Sequence, residues 1–225
     1  MTEPGSAPDV AATSSEVRGR PRDPALEARV FDEAIAIYAQ GGWAAFTFGA
    51  VALAASVGKA ALYRRWNGPG ELLGETLTAR WFPLDSGDMG SLKGDLVKSA
   101  TIWFDLLTGP HAGVLLHLQA DTWTNEEARR YTGKYGAQLL EQGRAVTRRA
   151  AKRGEIPAGV DGKMLQDLVV GAVINRIYSM RAADVPALRR RRDRFIQDVV
   201  GIVLTGMQGY RPSTPEVGAE RMGGV

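Results

Sequence analysis

The chain has 225 residues with 28 Lys and Arg against 25 Asp and Glu, a net charge of only +3, so any affinity for nucleic acid must come from local clusters. It contains no cysteine and two histidines, His111 and His117, which excludes disulfides, thiolate metal sites and a cysteine nucleophile and leaves little for a metal centre or His-based catalysis. No apolar run approaches the roughly 20 residues needed to span a bilayer, and the polar, proline-punctuated start lacks a signal-peptide core, so a soluble, cytoplasmic protein is expected.

Residues 1–23 are rich in Ala, Ser, Pro, Gly and charge, and are expected to form a disordered tail. Its end carries Arg18, Arg20 and Arg22 around Pro21, three guanidinium groups on an extended backbone that could enter a minor groove or simply be solvated. From Pro24 the period turns helical, with Val30, Phe31, Ala34, Ile35, Ile37 and Tyr38 on one stripe that Gly41-Gly42 stops. Thr47 is a suitable N-cap for a short helix through Val51 to Ala55, Ser56-Val57-Gly58 reads as a turn, and Gly58 opens a helix from Lys59 to Trp66. On that helix Leu62 and Trp66 face inward, while Lys59, Tyr63 and Arg64 face out, with Arg65 adding charge. No acidic residue occurs between Glu33 and Glu71, so these cations form a local positive surface of the kind that contacts phosphate. A fourth helix runs from about Pro69 to Trp81, burying Leu72, Leu73, Leu77 and Trp81, and the Pro- and Gly-bearing stretch 82–90 is the best internal joint.

Everything beyond reads as helix, giving an all-α fold. Ser91 caps a helix with Leu92, Leu96, Ala100, Trp103, Phe104 and Leu107; a shorter one holds Val114, Leu115, Leu116 and Leu118. Thr124-Asn125-Glu126-Glu127 fits a capping box, opening a helix that reaches Lys152 and Arg153 before Gly154. Two further helices, about 161–183 and 186–207, are wide in apolar surface, as helices buried on two sides would be. The run Arg189 to Arg192 is read as a solvated or salt-bridged face.

Phe46-Thr47, Val51-Ala52, Ala55-Ser56-Val57, Lys59, Leu62-Tyr63-Arg64-Arg65-Trp66 and Leu72-Leu73 together resemble the TetR family of bacterial transcriptional regulators over about residues 24–81. The resemblance implies a three-helix DNA-binding domain with a helix-turn-helix (residues 24–82), a helical effector-binding and dimerisation domain (83–208), a flexible tail (209–225), and a homodimer through the last two long helices. It also implies phosphate contacts by Lys59 and Tyr63 and places Gly58, Ala60, Ala61 and Arg64 near the groove; with Thr47 and the Arg18, Arg20, Arg22 arm, which is read from its own charge and not from the resemblance, these make up the expected surface for an operator duplex. Ser56 stands where the family usually has glycine, and Ala60-Ala61 where Gly-Thr is frequent, which removes side-chain donors.

Trp103, Phe104, Leu107, His117, Trp123, Tyr135, Asn175 and Tyr178 combine aromatics bearing a polar handle with an Asn in an apolar helix, a composition suited either to a mostly apolar effector pocket or to core and interface. No residue set looks catalytic, and neither a metal nor a cofactor is expected. The reading is a ligand-responsive DNA-binding regulator, a repressor released by a small molecule; the alternative is a helical sensing protein that has lost specific DNA recognition.

Overall fold

A computed structural model describes residues 24–80 and 87–211, and every element among them is helical. Trp81, the basic stretch Arg18–Arg22 and the last residues of the chain lie outside them.

Helix α1 (Pro24–Ala45) buries Val30, Phe31, Ala34, Ile35 and Tyr38, the stripe expected from the sequence. The regular helix breaks at Gly42, where the sequence places its stop. Gly42 takes a positive φ of 58° and ψ of −154°, conformations open to glycine, and the chain resumes helical geometry through Ala45 after the kink. Helix α2 (Phe48–Ala54) is capped by Thr47, whose Oγ1 accepts from Ala50 N at 3.1 Å. Ser56, at φ 54°, makes the turn into α3 (Lys59–Tyr63). Leu62 and Trp66 are buried beneath α3, and Trp66 Nε1 donates to Glu75 of α4 (Pro69–Arg80) at 2.8 Å. Leu72, Leu73 and Leu77 of α4 have no exposed surface, and Arg80 returns to α1 through Asp32 at 2.6 Å.

Helix α5 (Leu92–Thr108) begins at Ser91, which accepts from Gly94 N at 3.1 Å. Its first turn is tied to the end of α7 (Glu126–Lys152) by charge: buried Asp95 takes Met89 N at 2.8 Å and meets Arg153 Nη2 at 3.1 Å and Arg149 Nη2 at 3.6 Å. Glu155 accepts from Leu92 N and from Arg153 Nε. Backbone and guanidinium donors hold the Glu155 and Asp88 carboxyls below their usual ranges, Leu92 N–H first for Glu155 and Gly90 N–H first for Asp88.

The capping box expected at Thr124 does not form. Asn125 is the cap, accepting from Ala128 N at 3.1 Å, while Thr124 Oγ1 turns back to Ala120 O at 2.8 Å as the last residue of α6 (Gly113–Thr124). Position N3 is therefore Ala128, whose methyl group cannot return the bond.

The last two predicted helices also differ. Helix α8 (Gly162–Tyr178), capped by Asp161, stops at Ser179, and a short 3-10 turn follows at Ala182–Asp184. What reads as one helix from Pro186 is two, α9 (Val185–Arg190) and α10 (Arg192–Gly209), interrupted at Arg191 with φ −110° and ψ 14°. Beyond the break Arg192 meets both carboxylate oxygens of Asp105 on α5 at 3.0 Å, the salt-bridged alternative for the arginine run, with a partner that the run itself does not name. Leu168 and Ile202 keep 51% and 74% of their surface exposed, leaving apolar area uncovered on α8 and α10 of a single chain.

Candidate DNA-reading head and effector cavity

The turn at Ser56 sets α3 across α2 with its outer face clear. Lys59, Ala60, Tyr63 and Arg64 are exposed there, Gly58 begins the helix, Ala61 is half-buried, and Thr47 is exposed at the start of α2. Tyr63 is held by an edge contact to Phe48, centroids 4.8 Å apart at 80°, and Lys59 Nζ lies 5.8 Å from its ring centre. The head thus presents two cations, a fixed phenol and the Thr47 hydroxyl on one surface, with little that can read a base edge. Arg65 is not part of it: its guanidinium points to Glu27 of α1 at 3.5 Å.

A cavity of about 470 Å³ opens among helices α5, α6, α7 and α8. On α7 it is lined by Gly136, Leu139, Leu140 and Gly143 among others, and the two glycines leave room that side chains would take. Of the residues expected to form a pocket, Trp103 and Trp123 line it, Trp103 half-buried and Trp123 90% exposed at its mouth. The others are placed elsewhere. Phe104 and Leu107 are core, Phe104 facing Phe195 of α10 with centroids 6.3 Å apart. Tyr135 is buried, and burial pushes its phenol well above the ordinary range. Asn175 is not the buried amide the apolar helix implied: it is exposed and accepts from Ser179 Oγ at 3.3 Å. Tyr178 is also on the surface, 37% exposed.

His117 belongs to a different site, the junction between head and body. Asp121, one turn on along α6, accepts from Tyr38 Oη and from Trp43 N, each at 2.9 Å, and so holds α1 on both sides of its kink. A Cβ at Gly42 would lie 2.6 Å from His117 Nδ1, so the kink also provides the room for that contact. Burial first, and the bond to Asp121 second, push the Tyr38 phenol far above its ordinary range and keep it a donor. A second junction joins α4 to α7: a Cβ at Gly70 would lie 2.1 Å from Tyr131 Cδ2, and one at Gly74 3.2 Å from Tyr131 O.

Several of these residues escape a reading by composition. Gln166, which lines the cavity from α8, is recoverable in retrospect as a polar residue in step with Val170 and Ile174 at intervals of four. Asp121 has no such signal, since its partners are 83 and 78 positions away.

Sequence models of two parts of one family match this architecture: bacterial regulatory proteins of the tetR family over residues 30–76, and a tetracyclin repressor-like C-terminal domain over residues 87–199. The chain belongs to the TetR family. It is therefore a DNA-binding, ligand-responsive transcriptional regulator of a family that dimerises. The uncharacterized HTH-type transcriptional regulator YdeS of Bacillus subtilis (strain 168) is 24% identical over 193 residues, covering 85% of this chain and 94% of that protein. The fold is shared by solved structures of other proteins. Salmonella enterica GusR superposes with a TM-score of 0.60 at 14% identity, over 84% of this chain and 100% of that one. The transcriptional regulator FadR from Bacillus subtilis, in complex with stearoyl-CoA, superposes with a TM-score of 0.56 at 16% identity, over 82% of this chain and 99% of that one. No helix among the described residues is long and apolar enough to cross a membrane.

Proposed function

We propose that this TetR-family regulator is a cytoplasmic repressor that binds its operator as a homodimer and is released by a mostly apolar small molecule entering the α5–α8 cavity, acting by binding rather than turnover. The observation that carries this reading is shared use of two helices. Helix α6 lines the cavity with Leu118, Gln119, Thr122 and Trp123 and clamps α1 with Asp121; helix α7 lines it with Leu139 and Leu140 and packs Tyr131 against α4. A ligand that spreads α6 from α7 must disturb the two junctions that orient the head, and loss of DNA affinity is the natural sign of that disturbance. At about 30 Å³ per water-sized group, 470 Å³ holds roughly 15 heavy atoms, and the structure of FadR, which has this fold, was solved with stearoyl-CoA, a molecule with a long apolar acyl chain as well as a charged head.

On the DNA side, Lys59, Tyr63, Arg64 and the Thr47 hydroxyl contact phosphate, Gly58, Ala60 and Ala61 let α3 approach the groove closely, and the Arg18, Arg20, Arg22 arm adds charge. Two heads would reach successive grooves about 34–36 Å apart. Fluorescence anisotropy with DNA from the regulator's own gene neighbourhood tests this. Lys59→Ala removes one phosphate contact from each head, so the slope of log K against log salt should fall by about 2 for the dimer. Replacing the three arm arginines by alanine should weaken binding further at physiological salt. The absence of any salt-sensitive, sequence-preferring binding would refute the DNA-surface assignment and favour a sensor without an operator.

A further inference from the structure

The wall of the cavity mixes Leu115, Leu118 and Trp123 with Gln119 and Thr122 on α6, and changes character along α8. Following α8 back from Ile174 and Val170, the lining reaches Gln166 and then Lys163, with Arg144 of α7 and Asp167 close by at the surface. The charged members of this end are exposed, and Arg144 already faces Glu141 at 3.9 Å. Gln166 differs from them. It is only 9% exposed, and its Nε2 donates to Ser99 Oγ of α5 at 2.6 Å. Its Oε1 is buried and has no hydrogen-bond partner.

An unpaired buried carbonyl is a rare feature with a definite cost, because the group has left water without replacing its bonds. The amide nitrogen serves the buried Ser99 hydroxyl, but nothing on α8 serves the amide oxygen: the next two residues of the same stripe are Val170 and Ile174. Ser99 fixes the amide through its nitrogen and leaves the oxygen without a partner; that oxygen has almost no surface open to a water-sized group, so an occupant bonds to it only by parting the side chains that cover it. Gly143 of α7 permits the arrangement, since a Cβ there would lie 3.3 Å from Gln166 Cγ and crowd the stem.

We propose that the Ser99–Gln166 pair is the polar anchor of the effector cavity, and that the effector class is an elongated apolar molecule carrying one hydrogen-bond donor, a hydroxyl or N–H, that bonds to Gln166 Oε1. This rests on the reading of the cavity as the effector site. The donor lies at the α8 N-terminal end, and the apolar body extends between Trp103, Leu118, Leu139 and Ile174. Specificity then comes from one bond: a ligand of equal shape that lacks the donor leaves the buried carbonyl unpaired.

Two probes of nearly equal shape separate the anchor from the cavity itself, 1-decanol, which donates, and decyl methyl ether, which cannot. Binding of each to the full-length homodimer is followed through tryptophan fluorescence, Trp103 being in the wall, and by calorimetry. The wild type should bind decanol about tenfold more tightly than the ether, the worth of one hydrogen bond to a buried acceptor. Gln166→Met should bring the two within about twofold of each other while still binding both. Ser99→Ala frees the amide N–H₂ to serve an ether oxygen, so the ether should gain on decanol; this variant decides the matter if Gln166→Met does not fold. A merely structural Gln166 would alter both affinities together and leave their ratio unchanged. Equal binding of the two probes by the wild type, or an unchanged ratio in the variants, overturns the anchor and leaves the cavity reading intact. If neither probe binds the wild type, the cavity reading falls and the anchor with it.

Discussion

The bond set at Asp121 invites the most direct perturbation. Asp121→Ala removes the acceptor for both Tyr38 Oη and Trp43 N, each at 2.9 Å, and leaves the hydroxyl of a fully buried tyrosine with nothing to donate to. Hydrogen bonds to a charged group contribute about 1.5–3 kcal/mol each; because Asp121 is only half-buried, the lower figure applies, and the pair amounts to about 3 kcal/mol. For a chain of this size that is a fall in Tm of roughly 6–12 °C, measured by circular dichroism at one fixed protomer concentration because a dimer's Tm depends on it. Tyr38→Phe deletes one of the two bonds and should cost about half as much. In the double variant the penalties should fall short of their sum by more than about 1 kcal/mol. A Tm change below about 2 °C for Asp121→Ala, or strict additivity with Tyr38→Phe, would refute the assignment of this carboxylate as the clamp on α1.

Three further outcomes follow from other contacts. Gly70→Ala puts a methyl within 2.1 Å of Tyr131 Cδ2 and should destabilise by about 1–3 kcal/mol; in urea titrations Tyr131→Ala in the same chain should recover much of this, whereas additive losses would argue against a direct α4–α7 contact. Ser56→Gly relieves a left-handed residue at φ 54° at the cost of unfolded-chain entropy, for a net gain of up to about 1 kcal/mol, visible as a higher Tm with the DNA salt slope unchanged. Glu155 and Asp88 have folded pKa values below their ordinary 4.5 and 3.8, so their stabilisation is complete above those values and is lost as pH falls below them, through the depressed folded values. Urea midpoints between pH 6 and 3 should show that loss, and Glu155→Gln should flatten it; parallel curves for the two proteins would contradict the linkage.

The head was largely legible because its determinants are local. Thr47 caps three residues ahead, the Leu62–Trp66 spacing sets the inward face of α3, and the glycine-bearing turns punctuate the helices. In the body, the same periodicities give helices but not their neighbours. An apolar helix carrying Asn175 says nothing about which of its sides faces solvent, and that side proved to be the one with the amide. Phe104 and Leu107 have the composition of a pocket wall, yet the hollow lies beside Gly136 and Gly143, where there are no side chains to notice. The break at Arg191 is equally silent in the sequence, since arginine favours helix and only the position of Asp105 gives Arg192 its partner.

The size of the Asp121 clamp also limits what an effector can do through it. A ligand moves the head only by the difference between its affinities for the clamped and released states, and the same free energy must appear as a change in DNA affinity. If the clamp is worth about 3 kcal/mol, the part of the response carried by α6 cannot exceed roughly 150-fold. Any larger release of DNA must then draw on the second junction, where Tyr131 of α7 meets Gly70 and Gly74 of α4. Both helices border the same cavity, α6 through Leu118 and Thr122 and α7 through Leu139 and Leu140, so one occupant can act on both. The two routes are separable: what remains of an effector response in Asp121→Ala is the share transmitted by α7.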